Sequence, residues 1–309
     1  MDPAELLGTA KARAHSGKLM LYARRAVEGM AGGIHSSPQK GSSLEFKQHR
    51  PYVPGDEIRR IDWRAFGRSD KYFIREYEEE TNLQATLVVD ASGSMAYGDG
   101  DTEKFHFAAR FAMVFSHLLL AQADSVGLVM AAGEGSSDLP CKASTGHLRR
   151  IADALSGATP SGQADYVRLM ATLQRRVRRR GLVVFLTDAL FPPAAFVKAV
   201  GQLAHRGSEV VVFQVLHPDE LTFPFDDLSR FIDLEGQADI DLLDPRSVRK
   251  SYLERLEALT LALGGGLEKH RVDLVQISSD MDPGKVVSKY LVGRMSGRKG
   301  TWRMGGEAT

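Results

Sequence analysis

The chain has 309 residues, enough for one large domain or two modest ones, and its 43% apolar and 26% charged composition allows it to bury a core without staples. Its 40 basic and 39 acidic side chains leave a net charge of +1, which excludes a global pull toward nucleic acid or anionic lipid. Cys141 is the single cysteine, which excludes an intrachain disulfide and a thiolate zinc cluster and fits a reducing compartment.

No apolar run followed by a small-residue cleavage site opens the chain, so no signal peptide is expected. The most apolar stretch, residues 105–121, is interrupted by His106, Arg110 and His117, so neither is a membrane span, and a cytoplasmic location is expected. Residues 1–43 read as an amphipathic helix to about residue 30 and then a Gly/Ser-rich loop. Residues 44–81 form a charged, aromatic segment of short strands and turns, with turn chemistry at Pro54-Gly55 and an extended run over 71–77. Residues 82–295 alternate buried strands (83–90, 125–131, 181–188, 208–216, 272–278) with helices (103–121, 146–155, 165–179, 193–205, 246–263). Residues 138–144 form an antiparallel edge strand, because Pro140 is tolerated only at an edge, and a short strand pair lies near 231–242. The pattern predicts an α/β fold: a doubly wound, mostly parallel sheet with an antiparallel edge strand, preceded by a small β-rich segment. Residues 296–309 lack periodicity and read as a disordered tail.

The candidate site lies at the end of the first buried strand, in Asp90-Ala91-Ser92-Gly93-Ser94. Ligands of an open α/β sheet gather at the carboxyl ends of its strands. One carboxylate and two hydroxyls at alternate positions can turn their oxygens to one point, a donor set suited to Mg²⁺. Asp188 ends another strand, on the same edge if the sheet is parallel, and two converging carboxylates repel unless a cation or proton lies between them. The competing reading is that Asp90 and the serines cap the following helix and satisfy loop amides.

These residues resemble the metal-ion-dependent adhesion site, Asp-x-Ser-x-Ser, of von Willebrand factor A domains. The resemblance implies metal ligation by Asp90, Ser92, Ser94 and Asp188, with a partner's carboxylate completing the shell. It also implies a threonine from a second loop, but Ala164 stands there; Thr159, Ser161 and Asp165 are the candidate substitutes.

A second motif lies in the charged segment: Arg50, Tyr52, Pro54, Gly55, Asp56, Arg59, Ile61, Asp62, Trp63, Arg64 and Arg68. It resembles the signature of domain-of-unknown-function family fifty-eight, a prokaryotic family similar to von Willebrand factor A domains. That resemblance spans roughly residues 30–295 and implies an adaptor working with AAA+ ATPases of the MoxR type. Physically, the motif is either a docking surface (Arg50, Tyr52, Asp56, Arg59, Asp62, Trp63, Arg64) or an architectural ion-pair network with an anchored Trp.

The basic run from Arg175 to Arg180 falls at a helix end, where cations suit the dipole; a patch for an acidic partner is the sharper alternative. No phosphate-binding loop, nucleophile elbow, zinc spacing or nucleic-acid platform is present, and Cys141 reads as an edge-strand residue. The sequence therefore points to a non-enzymatic protein-binding module with a Mg²⁺ or Mn²⁺ ion and an ATPase partner. The alternatives are a metal-dependent hydrolase using Asp90 and Asp188, and a metal-free scaffold docking through the Arg-rich motif.

Overall fold

The computed structural model describes residues 3–30, 42–53, 61–69, 71–81, 83–131, 138–177, 180–236, 239–295 and 300–304. The chain divides into two compact units, one of Met1–Ile34 with Gln84–Thr309 and one of His35–Leu83.

In the smaller unit, β1 (Ser42–Pro51) pairs antiparallel with β2 (Phe73–Thr81), Arg50 opposite Ile74, with a register shift between Phe46 and Gln48. Between them lies a helix the sequence reading did not foresee, α2 (Trp63–Ser69). Asp62 starts it: its Oδ1 accepts from the amides of Arg64 (3.0 Å) and Ala65 (3.2 Å), satisfying two of the donors a helix start leaves open. Ile61 bridges to Ile74, and both are buried. The expected turn at Pro54-Gly55 and the expected loop over 31–41 lie outside the described residues.

The larger unit is built on a seven-stranded sheet. Its strands are β3 (Gln84–Asp90), β4 (Ser125–Ala131), β5 (Asp138–Lys142), β6 (Leu182–Thr187), β7 (Glu209–Leu216), β10 (Asp273–Ser278) and β11 (Thr301–Arg303). Their spatial order is β11-β10-β7-β6-β3-β4-β5, parallel throughout except for β5, which runs antiparallel to β4 at one edge. Setting aside β11, the order of appearance runs 3-2-1-4-5-6 across the sheet, the doubly wound arrangement whose strand order reverses beside β3 and β6. The fold class expected from the sequence, an α/β doubly wound, mostly parallel sheet with an antiparallel edge strand, is the fold observed.

β3 and β6 read as near-continuous apolar runs because helices cover both faces. On one face α3 (Lys104–Ala121) packs Phe111 tilted against Phe213 at 4.6 Å between ring centres, and α9 (Pro283–Met295) brings Tyr290 to within 5.0 Å of the same ring. The other face buries Val88, Phe185 and Val212 against Leu173 of α5 (Tyr166–Arg176), Phe196 of α6 (Pro193–His205) and Leu263 of α8 (Pro245–Glu268). The antiparallel strands β8 (Ser229–Ile232) and β9 (Asp239–Leu243) lie between α7 (Pro218–Thr222) and α8, and α4 (Thr145–Gly157) follows β5.

Three expectations are corrected. The N-terminal helix, α1 (Pro3–Met30), is not a separate piece: it contacts α3, α4 and α9 and belongs to the larger unit. The tail expected to be disordered from 296 instead supplies β11, which pairs parallel with β10, and Met304 beyond it is buried. The helix expected to run to residue 179 ends at Arg176, with Arg178 and Arg179 outside the described residues. Among the described residues, no helix is long and apolar enough to cross a membrane.

Candidate functional site

Because β3 and β6 are adjacent and parallel, Asp90 and Asp188 leave the sheet on the same edge, as the sequence reading required. Each is only 2% exposed. Asp90 Oδ1 accepts from the Ser92 amide at 2.9 Å, and its Oδ2 accepts from the hydroxyls of Tyr166 (2.6 Å) and Thr187 (2.7 Å). Ser92 and Ser94 converge, with their hydroxyl oxygens 3.1 Å apart. Asp188 Oδ1 accepts weakly from the Leu190 amide at 3.3 Å. Between them Ala189 holds a left-handed backbone (φ 54°), strain of order 1–3 kcal/mol that turns the chain sharply after Asp188.

The other oxygen of Asp188 meets a group the sequence reading missed. Lys104, fully buried in the first turn of α3, sends its ammonium to Asp188 Oδ2 (2.9 Å) and Glu220 Oε1 (2.7 Å). A cation at a helix start opposes the macrodipole, so this position depends on its carboxylate partners. Glu220 also caps α7, its Oε2 accepting from the His217 amide at 2.7 Å. Burial works to lower the Lys104 pKa, but the two carboxylates outweigh it and raise it, so the ammonium stays charged. Burial, then the charge of Asp188, raise the pKa of Asp90, and the three hydrogen bonds to Asp90 offset only part of that. Burial and the Asp90 charge likewise push the Tyr166 hydroxyl well above its ordinary value, so it stays a donor.

The second loop is stitched to the first by backbone: the Ser161 amide donates to Ala91 O (3.0 Å) and the Gly93 amide to Gly162 O (2.7 Å). Of the candidate threonine substitutes, Thr159 and Ser161 are exposed, and Asp165 is engaged as the cap of α5, accepting from the Arg168 amide at 2.9 Å. The oxygen that this region does bring to Asp90 comes from Tyr166, two residues beyond Ala164. Gly93 has a steric reason as well: a Cβ there would lie 2.0 Å from the carbonyl oxygen of Leu234, at the β8 end of the strand pair.

The donor set could hold a hard cation. It offers two convergent hydroxyls and two buried carboxylates, and Mg²⁺ retains waters where protein ligands are lacking, as at Ala164. Charge favours it too: Asp188 and Glu220 share one ammonium, and Asp90 lies close enough to Asp188 for that charge to raise its pKa. The competing reading, that Asp90 and the serines cap the following helix and satisfy loop amides, is met in its second half, since Asp90 Oδ1 takes the Ser92 amide, whereas neither the turn at Gly93–Ala96 nor α3 has a side-chain cap bond.

In the charged motif, Asp62 serves as the α2 cap described above, which is an architectural role. Trp63 is not anchored in a core: it is 58% exposed and meets Phe66 and Tyr72 edge-on. Tyr52 lies 6.3 Å from Tyr72, and Arg64 is exposed. The side chains of Arg50, Asp56 and Arg59 lie outside the described residues. In the basic run, Arg176 pairs with Asp138 at 2.8 Å.

Sequence comparison finds uncharacterized proteins of Mycobacterium tuberculosis and Mycobacterium bovis, each 29% identical over 210 residues covering 67% of this chain. The match spans 65% of those relatives' own length. Among solved structures, the chain is similar to the conserved hypothetical protein BatB from Bacteroides thetaiotaomicron (TM-score 0.45, 17% identity, 70% of this chain and 100% of that one). It is also similar to the SpRpn10 VWA domain (TM-score 0.37, 11% identity, 67% of this chain and 94% of that one). A family profile described as "Protein of unknown function DUF58" matches residues 48–259, which takes in the charged motif, Asp90 and Asp188: the chain belongs to the DUF58 family.

Proposed function

We propose that this chain is a protein-binding module that takes a Mg²⁺ or Mn²⁺ ion at Asp90, Ser92, Ser94 and Asp188 and there receives a carboxylate from a partner. The observation that carries the reading is the excess of buried carboxylates over ammonium at an edge where two serine hydroxyls converge. The cation would supply positive charge at the surface for a ligand oxygen; the chain's own residues orient it. Thr187 and Tyr166 fix one oxygen of Asp90, and Lys104 fixes one oxygen of Asp188. Binding is favoured over hydrolysis because Lys104 is doubly paired and held charged, so it is no general base, and Asp90 is enclosed by donors.

The partner we propose is a MoxR-type AAA+ ATPase, from the resemblance of the charged motif. A second reading has the exposed Trp63, with Arg64 beside it, carry the docking without metal. Capture of the purified ATPase by the immobilised full chain separates the two. The metal reading expects capture in Mg²⁺ that drops at least about tenfold in EDTA or in Ser92→Ala, while Arg64→Glu retains it. The reverse pattern would transfer the function to the charged motif.

A further inference from the structure

The smaller unit carries an aromatic surface that its own packing does not cover. Four rings form one connected cluster. Phe66 of α2 stacks on Tyr72 at 4.5 Å between centres, Trp63 meets both edge-on at 6.3 and 6.4 Å, and Tyr52 meets Tyr72 at 6.3 Å. These are the favoured geometries of ring pairs, so the cluster is a built surface and not a scatter of side chains. It is nevertheless open to solvent: Trp63 is 58% and Tyr72 48% exposed. Trp and Tyr grouped in this way are the side chains that anchor protein interfaces.

Gly67 is an independent observation at the same place. It lies within α2 four residues after Trp63, on the same helix face, where glycine weakens a helix. Nothing inside the molecule requires it: its backbone is not left-handed, and a Cβ there would meet nothing within 4 Å. The bare position keeps the space beside Trp63 open to an incoming chain. The adjoining face of α2 is cationic. Arg64 and Arg68 are exposed one turn apart, Lys71 is exposed next to Tyr72, and among the described residues none of the three meets a carboxylate. From Trp63 to Tyr72 the chain holds these three cations and one carboxylate, Asp70.

We infer that Trp63, Phe66 and Tyr72, with Gly67 open beside them and Arg64 and Arg68 on the flank, form a docking surface for an acidic segment of a partner protein. The rings supply desolvated contact, and the guanidinium forks take the segment's Asp or Glu carboxylates in paired hydrogen bonds. The positive flank attracts an acidic partner and repels a basic one. This takes up the metal-free reading of the charged motif and gives its partner a chemistry. It needs no cation, so it stands or falls apart from the site at Asp90.

A library of random dodecapeptides displayed on phage, selected on the immobilised chain in EDTA so that no divalent ion takes part, tests it. Recovered peptides should be rich in Asp and Glu. The tightest of them, made synthetically, should shift the fluorescence of Trp63, read in Trp302→Phe, which leaves Trp63 the sole tryptophan. Its affinity should fall at least about tenfold in Gly67→Leu and in Arg64→Gln/Arg68→Gln, weaken as salt rises, and stay unchanged in Ser92→Ala. Leucine favours a helix over glycine, so Gly67→Leu should melt no earlier than the native chain, which separates blocked docking from a lost fold. Recovery of basic or neutral peptides, or of none, overturns the inference, as does binding that ignores Gly67→Leu or the arginine pair. A Trp63 shift produced only by phosphatidylserine vesicles would give the patch to a lipid surface and overturn it too. Each of these outcomes leaves the cation reading standing, whereas loss of peptide binding in Ser92→Ala alone would move the peptide to the cation edge and remove this inference.

Discussion

Lys104 is the residue on which the electrostatics of the edge turn. Its ammonium bridges Asp188, which follows β6, to Glu220, which caps α7; the bond to Asp188 is buried and the bond to Glu220 partly so. Replacing it with Met leaves Asp188 and Glu220 without their shared counter-charge. Truncating one member of a buried pair costs about 3–5 kcal/mol, so Lys104→Met should unfold at markedly lower urea than the native chain. Mg²⁺ should restore more stability to this variant than it adds to the native protein. Equal urea midpoints for the two proteins would mean the pair contributes nothing and that Asp188 is neutralised by other means. The sequence held a signal for Lys104, a cation in the first turn of an otherwise apolar helix, but propensity rules treat it only as a misfit. Tyr166 was less legible, because helix periodicity assigns it to a core stripe and says nothing of the reach of its hydroxyl.

The strands and helices of the α/β unit were legible because burial on both faces writes long apolar runs, and Pro140 marked β5 as an edge. What escaped were short or atypical elements. The start of α9 was written as Asp282-Pro283, with Asp282 accepting from the Lys285 amide at 2.9 Å, yet its moderately polar sequence hid it. The strand β11 has three residues and no periodicity; tertiary contacts define it. The Gly300 amide donates to Asp273 (2.8 Å), the Met304 amide to Gln276 O (3.0 Å), and Met304 is buried. Deleting residues 300–309 removes an apolar side chain worth about 1.5–3 kcal/mol and uncovers the edge of β10. The shortened chain should therefore melt earlier and scatter more light on heating. A melt superposable on the native one would show that β10 is a sufficient edge by itself.

At the scale of the molecule, a parallel sheet gathers side chains from distant points of the chain at one edge. Asp90, Tyr166 and Thr187 meet there although 97 residues separate the first from the last. The sequence could place Asp90 and Asp188 on that edge by topology alone, since a parallel sheet ends all its strands on the same side. It could not place Lys104 or Glu220, whose contacts depend on how α3 and α7 pack across the strand ends. The resulting site is rich in carboxylate, and Asp90 holds a proton more tightly than an ordinary carboxyl because of its burial and the Asp188 charge. In the proposed site a cation and that proton would compete for the same oxygens. Cation affinity should thus be full above the raised Asp90 pKa and fall as pH drops through it.

The most direct test of the central claim is calorimetric titration of Mn²⁺ and Mg²⁺ into the metal-stripped chain, with acetate present to supply the carboxylate of a partner. The account predicts saturable binding near one ion per chain that weakens on acidification and disappears in Asp90→Ala. No saturable binding in the native chain, or binding that survives in Asp90→Ala, would contradict it.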